Sequence, residues 1–333
     1  MRCGPFTQIC PTSPDPWSRG GLAELALAHQ SATPPPLRAR AGDALSRLGD
    51  PRFDPQRLYL PAEAMLGFVH VPADPAYVIG TRRADARQVA ERCDGQVYDD
   101  EWNDAPVAAP AFWIARYPVT VAQFRAYVAH TGTPVGDADA LRDPDSRPVR
   151  WVSWHEALGY VRWLQAQLAA SPLFDAHPLA ALLRSGQAEV ALPSELEWER
   201  AARAGQPGAD YPWGNGFQRG RANTRDADIG SSSAVGCFAA NPLGLHDMAG
   251  NVWEWTRSLW GLGKVPEFGY PYDPVDLRRE HLDAGDTVSR VVRGGSWVNR
   301  RDLARCACRG RLSPGDRSSG LGFRVVLRSS PVS

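Results

Sequence analysis

The segment GLHDMAGNVWEW, residues 244–255, sets carboxylates at Asp247 and Glu254 on either side of a Gly-containing bend. The backbone carbonyls of Gly250 and Val252 fall between them, so four oxygens can converge on one hard cation. An all-oxygen set suits calcium better than zinc. The competing reading makes Asp247 a turn cap and Glu254 an exposed or paired strand residue. Other chemistry has weaker support. Cys306 and Cys308 are closer than the Cys-x-x-Cys spacing of a zinc knuckle or redox dithiol, and on a strand they point to opposite faces. Ser296 in GGSW lacks the G-x-S-x-G elbow of a nucleophilic serine. GLGK at 261–264 lacks the Walker spacing, and GNGFQRG neither follows a clear strand nor opens a helix. The seven histidines are dispersed, and none shows the i, i+4 pairing of a helix-borne metal site. His155 and Glu156 are adjacent at a helix start, where Glu156 already has a capping role.

These residues sit in a chain of globular composition. Its 333 residues are 43% hydrophobic, enough for a substantial core. Lys+Arg and Asp+Glu both number 37, so no global field draws the chain to nucleic acid or to an anionic membrane. No run reaches the ~18 apolar residues of a membrane span, and the start lacks a signal-peptide apolar stretch. These features predict a soluble cytoplasmic protein whose six cysteines are mostly reduced. The basic residues are nearly all arginine, Lys264 being the sole lysine. Twelve Trp with 31 Gly and 29 Pro suggest a loop-rich fold pinned by large aromatic anchors.

Residues 1–58 read as an N-terminal extension or linker with two short helical patterns, LAELALAHQ and AGDALSRLGD. The main domain spans 59–330 and opens with MLGFVHVPADPAYVIG, a hairpin or two short strands. Three helices share one start signal: Thr120 with Gln123, Ser153 with Glu156, and Ser194 with Glu197 each form a capping box. Phe124, Tyr127 and Val128 make the apolar stripe of the first. Ala157, Val161, Leu164 and Leu168 make that of the second, and Trp198, Ala201 and Ala202 that of the third, which Gly205 stops. Beyond Gly205 the pattern is loops with short strands, and so long an irregular stretch needs ions, tryptophan anchors or both to hold it.

Taken in order, FWIARYPVTVAQFRAYV, RPVRWVSWHEALGYVRWL, LPSELEWERAARAG…YPWGN, NPLGLHDMAGNVWEW and RVVRGGSW…GFRVV resemble the blocks of the formylglycine-generating enzyme, or sulfatase-modifying-factor, domain. The match runs from about residue 62 to about 328. The resemblance implies an α+β, C-type-lectin-like fold with few helices, short antiparallel strands and much irregular chain. It also implies calcium: one ion on Asp247, the Gly250 and Val252 carbonyls and Glu254, and a second on Asn223, the Thr224 carbonyl, Asp228 and the Gly230 carbonyl. The enzyme of this family uses two cysteines just after GGS to bind copper and activate oxygen. Here Asn299 stands at the first, no cysteine lies between Trp297 and Arg305, and Cys306 matches a non-catalytic position. A thiolate is the required soft ligand and nucleophile, so copper and oxidase activity are not expected. The related sulfoxide synthases take iron-binding histidines from an N-terminal helical domain, and the segment before residue 58 holds only His29.

Within that family, the C-terminal tract 296–321 is most similar to a variable protein of a diversity-generating retroelement, in which template adenines are randomised. An AAC codon altered only at its adenines yields the residues at Val298, Asn299, Arg300, Leu303, Gly310, Leu312, Ser313, Gly315, Asp316, Ser318, Ser319 and Gly320. Cys308 is reachable from a Tyr codon, and Arg301 joins the set as a ligand-binding position. Trp297, Cys306, Ala307, Leu321, Phe323 and the intervening arginines are expected to anchor the chain beneath an outward patch. The expectation is a non-catalytic protein that binds another macromolecule, unidentified, with no nucleic acid involved. Its rivals are an oxidase or sulfoxide synthase on the same fold, and a sensor or effector module of signalling proteins, since AGDALSRLGDPRFDP at 41–55 resembles the lead-in to such modules.

Overall fold

The computed structural model describes residues 33–330. The pattern LAELALAHQ and His29 lie outside them. Six helices are present among the described residues: α1 (Pro35–Arg47), α2 (Ala86–Cys93), α3 (Val121–Thr131), α4 (Trp154–Ala170), α5 (Pro178–Arg184) and α6 (Glu195–Arg203). The strands are short: β1 (Phe53–Asp54), β2 (Leu60–Pro61), β3 (Phe68–Val71), β4 (Asp74–Tyr77), β5 (Val107–Ala109), β6 (Phe112–Ala115), β7 (Ala188–Ala191), β8 (Trp253–Gly261), β9 (Ser289–Arg293), β10 (Arg309–Leu312), β11 (Leu321–Phe323) and β12 (Val326–Ser329).

Local signals account for the helix boundaries. All three capping boxes form as expected, with reciprocal bonds between Thr120 and Gln123, Ser153 and Glu156, and Ser194 and Glu197. α6 ends one residue early, with Ala204 itself left-handed at φ 50° before Gly205. α1 begins at Pro35, ahead of the AGDALSRLGD pattern, because proline fits the first helical turn, where no N–H partner is needed. It packs on the domain: Ala41 and Leu45 sit against Ala234, Cys237 and Phe238, and Arg147 pairs with Asp43 at 2.6 Å.

Two four-stranded sheets organise the domain. One runs β3-β6-β12-β7, antiparallel throughout. The other runs β10-β9-β8-β11, antiparallel except that β11 lies parallel to β8. β3 and β4 are two strands as expected but not a hairpin, since β3 pairs with β6 and β4 with β5. The main core packs α3 and α4 against the sheets through Phe124, Tyr127, Tyr160, Trp163 and Phe323, rings that meet tilted or edge-on except for Phe124 and Tyr160, which stack. Indole donors tie elements together: Trp154 Nε1 donates to the Thr256 carbonyl at 3.0 Å and Trp255 Nε1 to the Val152 carbonyl at 3.0 Å.

α6 is buried on every side, charges included. Glu195 receives Arg309 at 2.8 and 2.9 Å and Arg279 at 3.1 Å. Glu197 receives Arg257 at 2.6 and 3.1 Å, and Glu199 pairs with Arg203 at 2.8 Å and with Arg293. Burial alone would raise the Glu195 and Glu197 carboxyls, yet the guanidinium groups outweigh it and hold both below the ordinary range. Removing the sole arginine partner of a buried carboxylate, as Arg257 is for Glu197 among the described residues, strands an uncompensated charge, at about 3–5 kcal/mol. Arg257→Leu, which leaves Glu197 without its ion-pair partner, is therefore expected to lose about that much stability in urea unfolding, whereas Arg87→Leu, whose ion pair with Glu91 is exposed, should change it by less than about 1 kcal/mol.

Candidate functional site

The tract 296–321 leaves β9, arches over the sheet and returns as β11, with β10 on the way. Its foundation is a series of buried side chains. Arg305 forks onto Glu101 at 2.6 and 2.7 Å and reaches the Gln96 carbonyl at 2.8 Å. Arg293, just before the tract, donates to the carbonyls of Ala307 and Cys308 at 2.9 and 2.7 Å. Arg309 reaches the Asp100 carbonyl at 3.0 Å besides Glu195. Cys306 packs among Trp198, Ala201 and Met248. Three half-buried tryptophans fasten three successive carbonyls at the far end. The Trp151 amide donates to Ser318 at 3.0 Å, Trp297 Nε1 to Ser319 at 2.9 Å, and the Trp253 amide to Gly320 at 2.7 Å.

On this base the expected display positions divide. Val298 is 39% exposed, and Arg300, Ser313, Gly315, Asp316 and Ser318 are exposed as well. Arg301, Leu303, Leu312 and Ser319 are half-buried; Arg301 pairs with Asp226, and Leu312 leans on the main core. Asn299 is half-buried and held in a turn, its Oδ1 accepting from the Ser296 amide at 2.9 Å and from Ser296 Oγ at 2.6 Å. Three positions are corrected. Cys308 is fully buried. A Cβ on Gly310 would come within 2.9 Å of Val292 Cγ2, and one on Gly320 within 2.7 Å of Ser296 Oγ, so neither has room to present a side chain. The codon pattern that suggested these three does not register which way a side chain points.

The four described cysteines, Cys93, Cys237, Cys306 and Cys308, are buried and unpaired with one another. Burial pushes the Cys306 thiol up to about 12 and raises Cys308 further, which keeps both as thiols.

The proposed calcium ligands occupy one polar network. Asp247 Oδ2 accepts from the Gly236 amide at 2.8 Å, and Oδ1 from Asn251 Nδ2 at 3.3 Å. Asn251 Oδ1 in turn accepts from Asn223 Nδ2 at 3.3 Å and from the Ser233 amide at 3.0 Å. The Asn251 amide donates to the Asn223 carbonyl at 2.7 Å, drawing the Gly250 bend against the Asn223–Thr224 chain. Glu254 is a buried strand residue, forked by Arg324 at 2.7 and 2.8 Å and receiving Trp198 Nε1 at 2.7 Å. Its charge is thus already matched, and the paired-strand reading of Glu254 holds. Two observations fit a cation nearby. Burial raises the Asp247 carboxyl to about 6, the mark of an anion short of counter-charge. Asn223 Oδ1 is buried with no hydrogen-bond partner among the described residues. Asp228 departs from the expected set, its side chain 79% exposed and 3.8 Å from Arg219, while Gly230 is exposed. Asn251, which joins the two sets, went unread in the sequence because its role depends on residues 18 and 28 positions away.

Comparison with known proteins bears on the whole domain. A family profile described as sulfatase-modifying factor enzyme 1-like domain matches residues 79–329. The serine/threonine-protein kinase pkn1 of Chlamydia pneumoniae is 31% identical over 68% of this chain, which covers 34% of the kinase. The inactive C-alpha-formylglycine-generating enzyme 2 of Bos taurus is 31% identical over 58% of this chain and 54% of its own length. The chain thus spans between a third and about half of these relatives. Among solved structures, PvdO from Pseudomonas aeruginosa superposes with a TM-score of 0.56 at 26% identity, over 78% of this chain and 93% of that one. Treponema denticola variable protein 1 does so with a TM-score of 0.52 at 23% identity, over 79% and 95%. With its succession of few helices, short strands and long pinned loops matched along most of its length, the chain belongs to the sulfatase-modifying factor enzyme 1-like domain family.

Proposed function

We propose that this chain is a non-catalytic binding protein whose tract 296–321 presents a diversified surface to another macromolecule. The observation that carries this reading is the segregation within the tract. Arg305, Cys306, Ala307 and Arg309 are buried against groups elsewhere in the chain, while Val298, Arg300, Ser313, Asp316 and Ser318 stand exposed on the same loop. A backbone held from below leaves its outward residues free to vary. The likeness to a variable protein supports the suitability of this fold for the task.

The oxidase reading lacks its nucleophile. Asn299 takes the place of the family's first catalytic cysteine and is engaged with Ser296, while Cys306 and Cys308 are buried thiols. Copper supplied with oxygen and a thiol peptide is expected to give no oxygen consumption above the protein-free rate. A second reading, a sensor or effector module of a signalling protein, draws on the kinases of which this chain covers about a third. A reverse transcriptase gene beside this one, with a near-identical Asn-codon-rich copy of the tract, selects the first reading. An adjoining kinase, ATPase or protease gene with no such copy selects the second.

Display also makes a stability prediction. Gly315 faces open space, so Gly315→Ala should be neutral or raise stability by about 0.4–1 kcal/mol through the unfolded chain. Gly320→Ala must displace Ser296 and should lower the melting temperature by several degrees. Equal tolerance at both sites, measured by thermal unfolding, would remove the distinction between base and surface.

Calcium enters as a structural ion. Asp247 with the Gly250 and Val252 carbonyls, beside Glu254, would hold one ion; Asn223 with the Thr224 and Gly230 carbonyls would hold a second, from which the exposed Asp228 stands away. Bound calcium would neutralise Asp247 and satisfy Asn223 Oδ1. A ligand that binds only the folded state raises its stability, so EGTA should lower the melting temperature and added calcium restore it. An unchanged melting temperature on chelation counts against both sites.

A further inference from the structure

A cleft of about 720 Å³ opens between residues 71–82, α2, and the C-terminal end of α6 with the turn after it. It borders the buried side of Arg305 and Ala307 and lies apart from the exposed positions of the tract. Its volume falls among those of small-molecule sites. Arg200 lines it, 6% exposed. One terminal nitrogen donates to the Pro110 carbonyl at 2.9 Å and the other to the Pro72 carbonyl. A guanidinium has five N–H groups, so three remain, and Arg200 makes no ion pair among the described residues. This sets it apart from the cleft's other buried cations, Arg203 and Arg305, which are matched by Glu199 and Glu101.

Asp74 is the carboxylate with the largest electrostatic effect on Arg200, yet the two form no ion pair among the described residues. One oxygen of Asp74 accepts from the Ala76 amide at 3.0 Å, and the other has no partner among the described residues. Arg200 lies over the Tyr77 and Phe112 rings, so the wall carries a cation with no carboxylate partner and, in Asp74, a carboxylate oxygen with no donor among the described residues, both lining one cleft. At the rim, Arg82 and Asp85 repeat the balance, both exposed and unpaired among the described residues. Val71, Pro72, Val89 and Leu243 line the cleft with apolar surface.

We propose that this cleft binds a small zwitterion with an apolar side chain, a free α-amino acid. Its carboxylate takes the remaining N–H groups of Arg200, its ammonium takes the free oxygen of Asp74, and its side chain lies on the apolar wall. Charge-assisted contacts at both ends make recognition depend on both groups at once.

The test uses the full chain, with titration calorimetry and ligand-observed saturation-transfer NMR. L-leucine, L-valine and L-methionine serve as probes, with 4-methylpentanoate lacking the ammonium and 3-methylbutylamine lacking the carboxylate. Saturable binding of at least one amino acid is expected, about tenfold or more weaker for either truncated analogue of leucine. Arg200→Gln and Asp74→Asn should each reduce binding by a similar factor. Asp74 is half-buried at the cleft edge, so Asp74→Asn retains the test should Arg200→Gln fail to fold. No saturable binding by any of the three amino acids, equal binding of the truncated analogues, or binding indifferent to Asp74→Asn overturns the proposal.

Discussion

Irregular backbone inside a protein must find partners for carbonyls that no helix or ladder supplies, and here guanidinium groups supply them. Arg324 donates to the carbonyls of Ala115 and His246, Arg290 to those of Arg257, His281 and Leu282, and Arg203 to those of Val78, Gly80 and Ala209. Each of these donors must itself be kept charged in a dry interior. Carboxylates from regular elements do this for Arg203, Arg293, Arg309 and Arg324, drawing on α6 and β8. Arg290 has no such carboxylate among the described residues and lies instead over the Trp154 ring at 3.9 Å, its pKa lowered by burial to about 10. A lysine ammonium, compact and with three donors, cannot fork onto a carboxylate and a distant carbonyl together. The near absence of lysine has, at the buried positions, a structural counterpart.

This arrangement explains how one loop can be both fixed and permissive. The same side chains that close the interior also hold the tract, because Arg305 and Arg309 belong to it and reach groups at residues 96–101 and 195. The three tryptophan contacts with residues 318–320 do the same from the other end. Exposed residues between these points carry little of the folding energy. Function, on the reading favoured here, occupies the part of the loop that stability leaves alone.

What was legible in the sequence follows the range of each interaction. The capping boxes of Thr120, Ser153 and Ser194 are three-residue signals, and they place α3, α4 and α6 to within a residue at the start. The ordered motif blocks made the fold class readable, and with it the long irregular stretches. The polar sides of α6 were opaque, because Glu195, Glu197 and Glu199 look solvated until arginines 60 to 114 residues away are brought to them. Strand partners of β3 and β4 were hidden for the same reason. Cys308, Gly310 and Gly320 show a further limit: a codon rule lists which residues can occur and is silent on room and direction. The cleft beside Arg200 had no local signature, since its walls come from segments far apart in the chain.

The parallel return of β11 beside β8, with β9 on the other flank, gives the tract a fixed span. Its anchors are spaced by residue count, and alternation along β10 sends Arg309 and Arg311 toward Trp260 while Gly310 meets Trp253 on the opposite face. Inserting or deleting one codon between Arg305 and Arg309 would turn these residues inside out and pull Arg309 off Glu195. Such a loop accepts changes of spelling and rejects changes of length. Any process that rewrites it must therefore proceed letter by letter, conserving the reading frame and the number of codons alike.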